Sequence, residues 1–434
     1  MAFDPQAIEL NDSIRSSNPY VFDLLSDRGK AIYFPKKGIL SQSAEAKSKK
    51  INATIGTALE DNGSPMVLNS LSSLVDLKDN EFFSYAPSPG RPEIRKAWKD
   101  MLFKKNPLLK GKNISLPLVT SALTHGLSMA GYLFVNEKDT LLIPDLYWEN
   151  YDLVFNLAYG GIIDTFPTFI NNERFDTAGL REKLLNGSIG KKIVLLNFPN
   201  NPTGYTVTKD EAVEIKNILV EAAKIGNNIV VLIDDAYFGL VFENGILSES
   251  IFGLLADAHE RILAVKLDGP TKEDYVWGFR VGFITFGTAM NNPALYSALE
   301  SKLAGAIRGN ISNSSNVGQM LLLSAYSNAG YDNEKSVKFE ILKRRYEKIR
   351  NIFDEHPEYN NLFVPLPYNS GYFMCVKILS GEAEKVRKIL LDKYDTGVIA
   401  QGSILRIAFS SIPINMIEQL FDNLNNAAKE VKQG

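Results

Sequence analysis

Apolar residues fall in short runs along the middle of this chain, and the stretches between those runs carry helical spacing. From residue 117 onward the runs predict strands at 117–119, 140–144, 161–166, 192–198, 228–233, 262–267 and 281–286. Each is too short for a helix and is bounded by turn-forming or polar residues. Upstream, Pro92 suits the first turn of a helix whose apolar face is Ile94, Ala97, Trp98, Met101 and Leu102. A second helix runs through Leu127, Met129, Leu133 and Phe134. Thr208 to Glu211 is a capping box opening a third, with Ala212, Ile215, Ile218, Leu219 and Ala222 on its inner face. Strands alternating with helices imply a mostly parallel sheet covered on both faces.

The two ends of the chain read differently. Residues 1 to about 50 are mixed, broken by Asn18-Pro19, Pro35 and Gly38, with a short helix over 43–50. A strand over 51–57 ends near Gly56 and is followed by a turn at Asp61-Asn62-Gly63. Residues 85–90 hold too much Pro and Gly for regular structure. After a Ser/Asn-rich bend near 312–313, the pattern predicts a long helix over 333–353. A strand over 371–378, a helix over 382–394, a strand over 405–409 and a last helix over 414–431 follow.

A length of 434 residues suits two domains rather than one core. Apolar content of 45% and charged content of 22% are ordinary for a water-soluble chain, and a formal charge of -3 gives no general pull toward nucleic acid or anionic membrane. One cysteine, Cys375, precludes an internal disulfide, fits a reducing compartment and reads as a buried core thiol. The N-terminus lacks a basic-then-apolar signal pattern, and no run approaches a membrane span, so a cytoplasmic location is expected. Three scattered histidines (His125, His259, His356) without cysteine neighbours argue against a metal site. No G-x-G-x-x-G is present to support a dinucleotide site, and neither a repeat nor a low-complexity tract appears.

The candidate chemistry gathers where strands end. Residues 263–285 read as two strands joined by a loop holding Lys272 and Arg280. A lysine desolvated at the end of a buried strand has a lowered pKa, and only a neutral amine attacks a carbonyl. An arginine returning into an apolar strand can grip a phosphate with its planar fork. Lysine for an aldehyde and arginine for a phosphate suggest pyridoxal 5'-phosphate (PLP), with a charged surface loop as the other reading. Successive predicted strand ends also carry Thr124, Trp148, Asn201, Asp234 with Tyr237, and Lys272. Ligands bind at the carboxyl ends of strands in such sheets. Taken singly, Ser121 or Thr124 reads equally as a helix cap, Asp234 as a turn residue and Trp148 as a core aromatic. Arg406, interrupting an apolar strand, needs an anionic partner if buried.

In this order the motifs resemble those of the fold-type I PLP-dependent aminotransferases, class I/II, of the aspartate aminotransferase-like branch. The motifs are W-x-N at Trp148 to Asn150, N-P-T-G at Asn201 to Gly204, D-x-A-Y at Asp234 to Tyr237, Lys272 with Arg280 and Gly282 at fixed spacing, and the late Arg406. The resemblance spans about 52–406 and implies a large, mostly parallel α/β/α domain over 65–325. A smaller α+β domain would form from both termini, 1–64 and 326–434.

It further implies Lys272 as the lysine that joins the cofactor aldehyde and moves the substrate Cα proton, and Asp234 as partner of the ring nitrogen. Tyr237 and Asn201 would donate to the phenolic oxygen, and Trp148 would stack on the ring. Arg280, Thr124 and the backbone at Ala122 and Leu123 would hold the phosphate. Tyr85 would reach it from a neighbouring subunit, which implies a homodimer with shared sites. Arg406, near Gly56, would bind the substrate carboxylate. Arg308, in I-R-x-x-x-S-N, resembles an arginine that meets the distal carboxylate of an acidic substrate from the other subunit. The implied activity moves an amino group from an acidic or aromatic L-amino acid to a 2-oxo acid such as 2-oxoglutarate. A PLP-dependent lyase or decarboxylase, and a PLP-binding regulator without turnover, are the alternatives.

Three departures stand out. Gly269-Pro270-Thr271 replaces serines common before the lysine, and Leu123 occupies a position where a small residue is common. Glu273 and Asp274 put two carboxylates beside Lys272, which would raise its pKa if they faced it.

Overall fold

The seven predicted runs between 117 and 287 become the strands of one sheet. They are β1 (Leu118–Thr120), β2 (Thr140–Pro144), β3 (Ile162–Phe166), β4 (Lys191–Asn197), β5 (Asn228–Asp234), β6 (Ile262–Asp268) and β7 (Gly282–Gly287). Their lateral order is β1-β7-β6-β5-β4-β2-β3. Neighbours from β6 across to β3 pair in parallel, and β7 runs antiparallel to both β6 and β1. This computed structural model describes residues 3–5, 8–9, 11–12, 15, 39–54, 56–72 and 84–433.

The central strands carry apolar side chains toward both faces, and Val231, Leu232 and Ile233 of β5 are each at most 1% exposed. Such a strand needs helices on both sides. The helices of eleven residues or more among the described residues are α1 (Pro92–Lys105), α2 (Ala122–Phe134), α3 (Lys209–Lys224), α4 (Pro293–Ile311), α5 (Asn316–Tyr326), α6 (Tyr331–Glu355), α7 (Ala383–Lys393) and α8 (Ile417–Gln433), of which α7 and α8 belong with the second sheet described below. Pro92 opens α1, and the capping box at α3 closes in both directions between Thr208 and Glu211.

A second, antiparallel sheet holds β8 (Phe363–Pro365), β9 (Met374–Ile378), β10 (Ile399–Gln401) and β11 (Ile404–Ile407) in the order β8-β9-β11-β10. The N-terminal segment joins this part. Ile51 and Asn52 pair in parallel with Thr396 and Gly397, and Gln42 exchanges hydrogen bonds with Ala400. The first sheet falls within the proposed 65–325 domain and the second within the proposed 326–434 portion. Among the described residues, no helix is long and apolar enough to cross a membrane.

Several local expectations shift. The short helix predicted over 43–50 is Ile39–Glu45 instead. The strand predicted over 51–57 pairs only at 51–52. Asn52 ends it by accepting from both the backbone N–H and the hydroxyl of Thr54, at 3.1 and 2.6 Å, which turns the chain. β9 starts at Met374 rather than 371, because Gly371 has φ +73° and cannot continue a ladder. Helices α4 and α5 were not anticipated. The Lys272 loop is a short helical turn, Pro270–Glu273. The predicted breaks at Asn18-Pro19, Pro35 and Gly38, and Ile55 of the predicted strand, lie outside the described residues.

Candidate functional site

The carboxyl ends of β4, β5 and β6 open onto a cavity of about 410 Å³ between the large sheet and the strand pair β9–β11. Eleven of the thirteen candidate residues line it: Gly56, Ala122, Leu123, Thr124, Trp148, Asn201, Asp234, Tyr237, Lys272, Arg280 and Arg406. Tyr85 and Arg308 do not. Both are exposed on this chain, Tyr85 by 90%, and Arg308 projects from α4.

Asp234 is fixed by three neighbours. Tyr151 Oη donates to its Oδ2 at 2.7 Å, the Ala236 N–H to its Oδ1 at 3.0 Å, and Asn197 on the adjoining strand to its carbonyl at 2.8 Å. Burial pushes the Asp234 carboxyl up, while the Tyr151 hydrogen bond and the Lys272 charge pull it back. A buried carboxylate in this state favours a cationic or N–H partner in the cavity.

Lys272 stands across from it, its Nζ 5.1 Å from the Tyr237 ring centre. Burial lowers its pKa below the ordinary lysine value, Asp234 opposes this, and Arg280 adds to it. Its own carbonyl accepts from Tyr372 Oη at 3.0 Å, which ties the lysine turn to the segment leading into β9. The two carboxylates after Lys272 do not face it, contrary to the concern raised by the sequence. Glu273 meets Lys105 at 2.6 Å and Lys335 at 2.8 Å, and Asp274 meets Lys335 at 2.9 Å.

At the other end of the cavity the start of α2 meets the start of β7. Ala122 adopts φ +63°, and a Cβ on Gly282 would come within 2.7 Å of the Ala122 carbonyl carbon, so only glycine allows this approach. Ser121 makes no side-chain cap to α2, so the capping alternative is not taken by that residue. Arg280, itself at φ +55°, is steadied by the Trp277 carbonyl at 3.1 Å. The Thr271 hydroxyl and the Trp277 indole nitrogen are buried in the same wall without a partner among the described residues. A cation, unpaired donors and a helix start together suit an anionic, many-oxygen group such as a phosphate.

Arg406 is 4% exposed on β11 and lies 4.5 Å from the Phe373 ring centre. Its Nη1 donates to Asn201 Oδ1 at 3.1 Å and its Nη2 to the Thr54 carbonyl at 3.2 Å, while Nε has no partner among the described residues. A buried guanidinium hydrogen-bonded to neutral acceptors, with the charge of Glu149 also acting on it, suits a carboxylate guest in the cavity. Asn201 is placed in turn by its N–H to Asn197 Oδ1, at 2.8 Å. The N-P-T-G loop closes on the second sheet at Gly204, where φ is +72° and a Cβ would stand 1.9 Å from the Phe373 carbonyl oxygen.

The structure adds residues the motifs did not point to. Tyr151, Asn197, Thr271, Trp277 and Phe373 all line the cavity. Asn197 was readable as the polar residue ending the apolar strand β4, and Thr271 as the hydroxyl next to the lysine. Tyr151 and Phe373 sit in aromatic runs that look like core.

The chain matches the family model described as aminotransferase class I and II over residues 48–424. It is 22% identical over 405 residues to the aspartate aminotransferase of Bacillus sp. (strain YM-2), covering 90% of this chain and 95% of that protein. It is 24% identical over 364 residues to aromatic-amino-acid aminotransferase 2 of Thermococcus litoralis, covering 82% and 86%. Among solved structures, an aminotransferase from Anaerococcus prevotii superposes with a TM-score of 0.82 at 24% identity, over 93% of this chain and 99% of that one. An alanine aminotransferase from Pyrococcus furiosus superposes at 0.76 with 20% identity, over 93% and 99%. At these identities the superpositions speak for the fold.

Proposed function

Because the chain belongs to the class I and II aminotransferase family, we propose that it moves an amino group from an acidic or aromatic L-amino acid, aspartate-like by preference, to a 2-oxo acid such as 2-oxoglutarate. The observation that carries this reading is the meeting of Lys272, Asp234, Arg280 and Arg406 in one cavity. The acidic preference rests on Arg308 and on the aspartate aminotransferases among the relatives; the relative named for aromatic amino acids keeps that class in view.

The donor set fits PLP. Arg280, Thr124, Thr271 and the backbone at Ala122 and Leu123 would hold its phosphate, Asp234 its ring nitrogen, Tyr237 and Asn201 its phenolic oxygen, and Trp148 its ring face. When bound, the cofactor draws electron density from the substrate Cα bonds, so that a proton can leave. The remaining work falls to side chains of this protein. The lowered pKa of Lys272 leaves its Nζ free to accept that proton and return it to a neighbouring carbon. Asp234, pinned by Tyr151 and Ala236, keeps its charge aimed at one atom. Arg406 orients the α-carboxylate with its planar fork. Tyr237, whose hydroxyl burial keeps protonated, donates rather than titrates.

Tyr85 and Arg308 are proposed to serve the site of a second copy of the chain, which their exposure on this copy supports. The direct test is PLP binding followed by absorption and by borohydride trapping. Wild type should carry one visible band per chain that reduction fixes covalently to Lys272. A band retained unchanged in Lys272→Ala would remove this site assignment.

A further inference from the structure

The two carboxylates after Lys272 are absorbed by a buried cluster that the proposed reaction does not use. Glu273 is 6% exposed and Asp274 fully buried. Two lysines reach them from two different helices. Lys105, at the end of α1, meets Glu273 at 2.6 Å, and Lys335, in the first turns of α6, bridges Glu273 at 2.8 Å and Asp274 at 2.9 Å. Asp274 also accepts from Tyr326 Oη on α5 at 2.9 Å and from Tyr331 Oη on α6 at 2.6 Å. Helices α1, α5 and α6 thus each present a donor or a cation to it.

We propose that Lys335 and Lys105 are positioning residues for Lys272. By pairing with the carboxylates that follow it, they hold the lysine turn in place and keep those charges from acting on its nitrogen. Burial alone would raise the Glu273 carboxyl, yet the two lysines hold it at about 2, so it is fully ionised at neutral pH. An ionised, unpaired carboxylate one or two residues from Lys272 would favour the protonated nitrogen. The charges facing Lys272 itself are Asp234 on β5 and Arg280 before β7, and these are unchanged by what happens on the clamp's far side. Tyr275, the Glu60–Lys338 pair and the buried carboxylate of Asp268, on which the Lys105 charge acts, belong to the clamp's surroundings. The inference rests on the reading that Lys272 is the nitrogen joined to PLP.

The test is a pH titration of the visible band of the PLP-loaded, full-length protein, which follows the proton held at the Lys272 nitrogen. Lys335→Met leaves a buried carboxylate uncompensated and should move the midpoint up by about one pH unit. Asp274→Asn leaves Lys335 partly uncompensated and should move it down. The double variant should return it close to wild type. Opposite shifts with mutual rescue are not produced by loosened packing. Asp274→Asn buries no bare carboxylate, so it carries the test by itself if Lys335→Met fails to fold. Midpoints that stay at the wild-type value, or that move the same way in both single variants, would overturn the proposal. A wild-type band that persists in Lys272→Ala would instead overturn the underlying reading of the site.

Discussion

At the scale of single residues, the site works by burying charge and leaving it incompletely answered. Arg406 is the plainest case, with neutral acceptors on Nη1 and Nη2 and no partner on Nε among the described residues. On the proposed reading, a bound substrate carboxylate would supply what is missing. Arg406→Lys keeps the charge but loses the fork, so the KM of every amino donor should rise, by about ten- to a hundredfold. Steady-state kinetics with acidic and aromatic donors checks this; a loss confined to one class would place Arg406 at the substrate side chain instead. Arg308 should behave in the opposite manner. Arg308→Ala should weaken acidic donors far more than aromatic ones, and equal losses would remove its proposed role. The pair separates the two ends of the substrate by measurement.

At the scale of elements, what matters is how strand ends and loops are locked in register. Gly204 is such a lock. Gly204→Ala forces a side chain into a φ of +72° and against the Phe373 carbonyl, and should cost more than about 2 kcal/mol in urea unfolding. Thr208→Ala removes only one helix cap a few residues later and should cost about 1 kcal/mol. Similar losses from both would mean that the loop relaxes freely.

The same scale explains what was legible from residues alone. All seven strands of the main sheet were, because apolar runs bounded by turns have few other structures open to them. The long α6 was legible from its length and charge. Helices α4 and α5 were not: α4 buries only Tyr296, Leu303 and Ile307, so it has little apolar periodicity to read. The strand expected over 51–57 failed through one side chain, because Asn52 bonds to Thr54 in place of continuing the ladder. The ends of β4, β5 and β6 gave away Asn201, Asp234 and Lys272, since polar groups there interrupt apolar runs. Tyr151 and Lys335 were hidden, because their partners Asp234 and Glu273–Asp274 are distant in sequence and only folding brings them together.

At the scale of the whole molecule, one copy of the chain presents most of a site but not Tyr85 or Arg308. If the homodimer shares its sites, two crippled variants should repair each other. A hybrid of Lys272→Ala and Arg308→Ala subunits contains one site with both residues intact. Mixing and refolding the two should therefore restore up to about one site's acidic-donor activity per hybrid dimer, half that of the wild-type dimer, while neither parent regains it alone. No recovery in a verified hybrid would confine each site to its own chain.

The measurement that reaches the central claim most directly is a single turnover without acceptor. PLP-loaded protein is mixed in turn with L-aspartate, L-glutamate and L-phenylalanine, and the visible band and the released acid are followed together. The expected result is loss of the band with one equivalent of the matching 2-oxo acid per site, fastest with an acidic donor, and recovery of the band on adding 2-oxoglutarate. Release of carbon dioxide or of an unsaturated product in place of the 2-oxo acid, or a band that no amino acid alters, would contradict transamination at this site.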